Sequence, residues 1–365
     1  MSLAARAEPA TPYLRVDVAR LTANLERTAR WAAGAGVSLR PHAKTHKCPQ
    51  VAGLQLDAGA VGLTVATIGE AEVFVEHGAE DVFVAYPLWL TEDGARRLRD
   101  LAGRADLAIG LDSAASAEHS ARLLAGSGVA ALVEVDSGQH RTGVAPQDAG
   151  PLAAAAVEAG LPVRGVFTFP GHSYSPGALR RAAEDEARAL RVATASLRAA
   201  GLEPDVVSGG STPSLAHAHT DELTELRPGV YAFGDAQQWE LGTTTPDDVA
   251  LTCRATVISH AGGRLVLDAG SKALGADRAA YATGWGRLPA YAEARVVQLS
   301  EHHAVVDLGG APLPRLGERV DVVPNHVCAA VNLADTLWAD TGAETGADTG
   351  AGLEPWPVAA RGRNW

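Results

Sequence analysis

Apolar residues recur along this chain at two different spacings, and the spacing changes near Gly242. Over 17–34, Val18, Leu21 and Leu25 return every three to four positions and Gly34 and Gly36 close the stretch, which predicts an amphipathic helix. Short apolar runs follow at 61–66, 81–86, 107–110, 131–135, 163–168, 206–208 and 225–231, each of a length that suits a buried strand. Helical patterns separate most of them, the clearest being 178–200, rich in Ala, Arg, Leu and Glu. With 38–41 the strands number eight. Strand–helix alternation calls for parallel strands joined by right-handed crossovers. Eight such units predict an α/β fold, a closed (β/α)8 TIM barrel. A doubly wound open sheet is the alternative that periodicity alone leaves open.

Beyond Gly242 the long helical patterns stop. ALTCRATVISHA, GRLVLDAG, AYAEARVVQLS, HHAVVDLG and ERVDVVPNHVC are β-branched and bounded by Gly, Pro and Asp, which predicts a small all-β domain. The expected division is a barrel over 12–242 and a β-strand domain over 243–365, with residues 1–11 a candidate addition to the second. ADTGAETGADTGAGLEP has little apolar surface to bury, so a flexible loop is expected near 340–354.

Composition narrows the function. Hydrophobic residues make up 47% of the 365, too many for a disordered chain. The balance of 31 Lys+Arg against 43 Asp+Glu gives a net charge of −12, which argues against nucleic acid or an anionic membrane as partner. No apolar run approaches the roughly 18 residues of a membrane-spanning helix. The opening MSLAARAEPATPYL lacks the apolar core of a secretion signal. Three cysteines (Cys48, Cys253, Cys328) cannot build a disulfide framework. The expectation is a soluble, cytoplasmic protein that acts on a small molecule.

In a barrel, chemistry collects where the strands end. Arg40-Pro41-His42-Ala43-Lys44-Thr45-His46-Lys47 directly follows a strand. It reads either as a solvated basic loop or as the seat of a lysine able to form a Schiff base, with Lys44 preferred because it lies nearer the strand end. Glu134 to Gly143 follows the fifth strand, and its Arg141 could reach a phenolate or carboxylate. Phe169-Pro170-Gly171-His172-Ser173-Tyr174 follows the sixth and offers acid/base groups. Ser208-Gly209-Gly210-Ser211-Thr212-Pro213 and Arg227-Pro228-Gly229-Val230-Tyr231 follow the last two strands, where small residues and hydroxyls suit phosphate. Last, Pro324-Asn325-His326-Val327-Cys328 ends a strand of the β-domain. Residues i and i+2 of a strand share a face, so His326 and Cys328 could share one metal, with zinc favoured by the N/S donor pair.

Together these residues resemble the fold-type III pyridoxal-phosphate enzymes, the alanine-racemase-like barrels, and within them the D-threonine aldolase / D-serine dehydratase family. The similarity runs from Thr11-Pro12 to Arg363, and RPHAKTHK with TIGEAE, and PNHVCAAVNL, are its specific signatures. The resemblance implies that Lys44 holds pyridoxal 5'-phosphate and that Arg141 faces its ring oxygen. It places His42 and Tyr174 at the cofactor, and Ser208, Gly209, Gly210, Ser211, Thr212, Gly229, Val230 and Tyr231 around its phosphate. It makes His326 and Cys328 the ligands of a divalent metal, zinc first, with manganese or magnesium as alternatives. After Leu299-Ser300-Glu301 the family usually has a further Glu and then His, whereas this chain has His302 and His303.

The implied substrate is a small D-amino acid with a β-hydroxyl, and the implied assembly is a homodimer. Two reactions are open. In β-elimination, Lys44 takes the Cα proton and the metal helps hydroxide leave, giving a 2-oxo acid and ammonia. In retro-aldol cleavage, a base takes the hydroxyl proton and an aldehyde and glycine result; His172 is the candidate base. Dehydration is preferred because dehydratases of the family tend to carry His-x-Cys and aldolases His-x-Asp. A racemase or a non-catalytic cofactor carrier are the further readings. The racemase needs a second base that the sequence does not offer, and the β-domain argues against the carrier.

Overall fold

The computed structural model describes residues 8–342 and 352–365. The loop expected near 340–354 falls mostly on the stretch between, outside the described residues. The first strand, β1 (Tyr13–Asp17), runs straight into a helix, Val18–Gly34. Then come β2 (Ser38–Leu39), β3 (Leu63–Val65), β4 (Asp81–Pro87), β5 (Asp106–Leu111), β6 (Ala130–Glu134), β7 (Val163–Phe167), β8 (Val206–Gly209) and β9 (Glu225–Leu226). Those eight form one parallel sheet in the order β2-β9-β8-β7-β6-β5-β4-β3. The ends meet: Val61 N donates to Leu39 O at 2.9 Å, Thr64 N donates to Pro41 O at 2.8 Å, and His42 bridges Thr64 in parallel sense. The sheet is therefore the expected barrel rather than an open one.

Its interior is apolar at one level and ionic at another. Phe83, Ala108, Leu132 and Phe167 pack together, with the two rings edge-on at 4.9 Å. Gly110 is required here, since a Cβ would lie 2.7 Å from the Tyr86 backbone and 2.8 Å from Phe167 Cζ. The Arg227 guanidinium stands 5.3 Å from the Phe167 ring and 5.8 Å from that of Phe83. It donates to Thr168 O and, through Nε, to Ser208 Oγ at 2.8 Å. Arg40 donates to Glu225 at 2.8 Å and holds Asp81 with two bonds, at 2.6 and 2.9 Å. The buried charge of Arg40 is tolerated because two carboxylates pair it.

The helix expected over 178–200 is Leu179–Ala199. The eighth barrel strand stops at Leu226, not Tyr231. Pro228 has no N–H for the ladder, and Val230–Ala232 turns into a 3-10 helix.

The remaining strands are β10 (Leu251–Ser259), β11 (Leu265–Leu267), β12 (Gly286–Arg287), β13 (Arg295–Leu299), β14 (Ala304–Asp307), β15 (Arg319–Pro324), β16 (Thr336–Asp340) and β17 (Leu353–Pro357). They form a second, mostly antiparallel sheet in the order β13-β14-β11-β10-β1-β16-β17, with β15 joining β10 to β12. The sequence patterning did not predict β1 as a strand. It lies between β10, antiparallel, and β16, parallel. By their contacts the described residues form two compact units. One holds the barrel strands, over Thr28–Lys44, Val51–Gly229 and Gly362–Trp365; the other holds 8–27, Thr45–Gln50 and Val230–Arg361. Among the described residues no helix is long and apolar enough to cross a membrane.

Candidate active site

Within the barrel unit, Phe169 gathers three of the predicted residues. Lys44 sits on the 3-10 turn Ala43–Thr45 just past β2, and its Nζ lies 5.7 Å from the centre of the Phe169 ring. The Arg141 guanidinium is 5.5 Å from the same ring and the Tyr174 ring is 6.2 Å away. Both cations are within cation–π reach. His42 is buried; its N–H donates to Pro228 O at 3.0 Å, and its Nδ1 accepts weakly from Lys44 N at 3.4 Å. Arg141 is carried by a loop that Asp136 fixes, accepting from Gly138 N at 2.9 Å and His140 N at 3.0 Å and pairing with His140 Nδ1 at 2.7 Å. Burial alone would raise the Asp136 carboxyl; these bonds outweigh it and hold it below its ordinary range. His172 lies on the turn Gly171–Ser173, with Nε2 3.5 Å from Asp185 Oδ2 and neither ring nitrogen in an aligned hydrogen bond.

The small-residue turn after β8 divides in two. Ser208 faces inward, donating to Glu225 Oε1 at 2.7 Å and accepting from Arg227. Gly210 has φ +81°, and a Cβ there would meet Leu226 Cδ2 at 2.5 Å. Its N–H donates to Glu186 Oε1 at 2.7 Å. Ser211 N donates to Ser214 Oγ at 3.2 Å, and the Ser211 and Ser173 hydroxyls share a bond of 2.8 Å. Gly209 is buried behind the turn, while Thr212 and Gly229 are half-buried. Val230 and Tyr231 start the next 3-10 turn, in the other unit.

Within that other unit, His326 and Cys328 are neighbours for a reason other than the one expected. β15 ends at Pro324, His326 is the N-cap of a helix, and Cys328 lies in the first turn of that helix, Val327–Leu333. Valine and alanine at 327, 330 and 331 form its buried face. The pair is a helix start, not a strand face. Asp235 stands behind it. Fully buried at the N-cap of the helix Ala236–Leu241, Asp235 accepts from Gln238 N at 2.8 Å and Val327 N at 3.2 Å. Its Oδ2 is 3.3 Å from His326 Nδ1. Burial disfavours the imidazolium, but the Cys328 and Asp235 charges prevail and raise His326 well above its ordinary pKa. Cys328 Sγ is 3.4 Å from Thr45 Oγ1. Among the described residues no further His, Cys, Asp or Glu completes a metal-ligating group of three.

Phe169, Glu186, Arg227 and Asp235 were not assigned roles from the sequence. Arg227 was visible only as part of an Arg-Pro-Gly motif. Asp235 could have been noticed as a helix cap, but not as the partner of His326, 91 positions away.

Residues 16–237 match the alanine racemase N-terminal domain and residues 250–339 the serine dehydratase domain. The chain belongs to the alanine-racemase-like family of D-threonine aldolases and D-serine dehydratases. D-threo-3-hydroxyaspartate dehydratase of Delftia sp. (strain HT23) is 36% identical over 352 residues, covering 87% of this chain and 91% of that protein. D-threonine aldolase of Arthrobacter sp is 34% identical over 344 residues, covering 90% and 88%. Among solved structures, a Cys-to-Ala variant of D-threo-3-hydroxyaspartate dehydratase in the metal-free form superposes with a TM-score of 0.86 at 32% identity, over 96% of this chain and 97% of that one. Alanine racemase of Clostridium difficile 630, at 12% identity and a TM-score of 0.66 over 90% of this chain and 95% of that one, shares the fold. Members of this family are fold-type III lyases, and the family implies pyridoxal phosphate. The residues present fit that group: an amine for an aldehyde, a cation and an aromatic face beside it, and a turn too crowded for a Cβ at Gly210. One imidazole and one thiol backed by a buried carboxylate likewise fit a divalent metal with open positions.

Proposed function

We propose that this chain is a pyridoxal-phosphate- and metal-dependent lyase of D-β-hydroxy-α-amino acids, removing the β-hydroxyl together with the α-proton to leave a 2-oxo acid and ammonia. The observation that carries the choice of reaction is the His326–Cys328 pair with Asp235 behind it. A nitrogen and a sulfur donor select zinc over manganese or magnesium, and two protein ligands leave positions for water and a substrate hydroxyl. Such a metal supplies Lewis acidity at a leaving hydroxide. Pyridoxal phosphate, when bound, supplies an electron sink for bonds at Cα.

The protein's own part is binding, orientation and proton transfer. Lys44 Nζ is the amine for the cofactor's aldehyde and the base for the Cα proton. Arg141 would hold the ring oxygen, with His42 and Tyr174 as the other residues at the ring. Ser208, Gly209, Gly210, Ser211, Thr212 and Gly229 would form the phosphate end, and the family resemblance adds Val230 and Tyr231 to it; Ser208 would act through Glu225 and Arg227, to which its hydroxyl is committed. The assembly that goes with this reading is a homodimer in the cytoplasm.

Retro-aldol cleavage is the second reading. It asks for a base at the hydroxyl, and His172, with Asp185 at 3.5 Å, is the group the barrel offers. Product analysis separates the two. D-serine and D-threo-3-hydroxyaspartate should release ammonia and a 2-oxo acid, and chelation should stop it. Glycine and acetaldehyde from D-threonine, with no oxo acid from D-serine, would establish the aldolase instead.

A further inference from the structure

Glu186 is the one carboxylate on the buried side of the helix Leu179–Ala199. It is 1% exposed, and its two oxygens differ. Oε1 accepts the Gly210 N–H at 2.7 Å, while Oε2 is buried with no hydrogen-bond partner. The contact is tight, because a Cβ on Gly209 would lie 2.5 Å from Oε1 and 2.9 Å from Leu223 Cδ2. The carboxyl group thus pins, from behind, the turn assigned above to the cofactor's phosphate. That bond commits the Gly210 N–H to Glu186.

The charged groups around it are few. Arg227 acts on it through space. Asp185, the preceding residue, is turned to His172 and Arg188. Glu225, across β8, is turned to Ser208 and Arg40. Burial pushes Glu186 up to about 7, against the Gly210 bond and Arg227. A phosphate dianion brought to the same turn adds a second negative charge to a site of low dielectric. Two like charges in one such site are relieved when one of them takes a proton.

We propose that Glu186 is a positioning residue for the phosphate turn, holding Gly210 in place and taking up a proton when a phosphate monoester binds. The inference rests on the cofactor reading above. The balance is simple: one proton passes from solvent to a Glu186 oxygen as the dianion enters, and no covalent bond changes.

Pyridoxine 5'-phosphate tests it, because that alcohol cannot condense with Lys44. Titration calorimetry at pH 8, in buffers of different ionisation enthalpy, counts the protons exchanged. At this pH the free phosphate is already a dianion, but the probe's ring nitrogen still titrates, so the Glu186 contribution is the uptake of the parent in excess of that of E186Q. The parent protein should take up a substantial fraction of a proton more than E186Q, which keeps an acceptor for Gly210. Affinity of the parent should fall several-fold more than that of E186Q between pH 6 and pH 8. Binding to the parent with no proton uptake in excess of that of E186Q overturns the proposal and leaves the cofactor reading standing. No binding to either protein removes both. If E186Q does not fold, the proton count on the parent with phenyl phosphate, which is a dianion at pH 8 and has no titrating ring nitrogen, decides alone.

Discussion

Replacing Asp235 by Asn is the sharpest probe of the proposed metal centre. The substitution keeps size and one acceptor oxygen but removes the charge. Asp235 Oδ1 caps Gln238 N at 2.8 Å; Oδ2 serves Val327 N at 3.2 Å and faces His326 Nδ1 at 3.3 Å. With the amide oxygen retained by the cap, the NH2 group meets the Val327 N–H, donor against donor. Losing the carboxylate behind a ligating imidazole costs roughly 10–100-fold in metal affinity, about 1.4–2.7 kcal/mol. Losing the charge-assisted bond to Val327 costs about 1.5–3 kcal/mol of stability. Zinc affinity by chelator competition and thermal unfolding of the metal-free protein read the two effects separately. D235A additionally loses the cap, about 1 kcal/mol more. A D235N protein that binds zinc within about twofold of the parent would refute the role given to Asp235.

K44A should abolish turnover and the visible absorbance acquired on adding pyridoxal phosphate, with unfolding little changed, since Lys44 lies on a turn and not in the core. C328A should keep that absorbance but bind zinc poorly, as equilibrium dialysis would show; full activity without metal would contradict it. R40A leaves Glu225 and Asp81 without their buried guanidinium and should cost about 3–5 kcal/mol in denaturant unfolding. Glu186 gives a pH signature in stability. Its folded-state value, about 7, lies above the ordinary 4.5, so it binds its proton more tightly when folded. Its contribution is present below about pH 4.5 and is lost as pH rises through 7. The loss is on the order of 3 kcal/mol, so E186Q should gain on the parent at pH 8 relative to pH 5.

The barrel was legible because its strands are buried on both faces. Within Ala130–Glu134 and Asp106–Leu111, residues 130–133 and 107–111 read as apolar runs between helical patterns. The strand β1 was not legible, because YLRVD is short, alternating and fused to a helix whose period dominates the window. His326 and Cys328 were paired on the premise of a strand face, and the structure puts them at a helix start instead. The i, i+2 argument needs a strand, whereas the helical spacing of Val327, Ala330 and Val331 after Pro324 already marked a helix start. The residues that touch His326 and Gly210, Asp235 and Glu186, were out of reach as partners. Each touches its partner across many positions of chain, and a lone acid in a helix carries no mark of what it will face.

The position of β1 bears on how the molecule can be made. Tyr13 pairs with Arg254 and Leu14 with Leu337, so this strand leaves a ribosome with both neighbours still unsynthesised while the whole barrel is being translated. Until then its backbone edges stand open, the condition under which nascent chains associate wrongly. A gene cut anywhere between these partners would leave the second sheet without its middle, so the two units cannot be obtained as separate uninterrupted pieces.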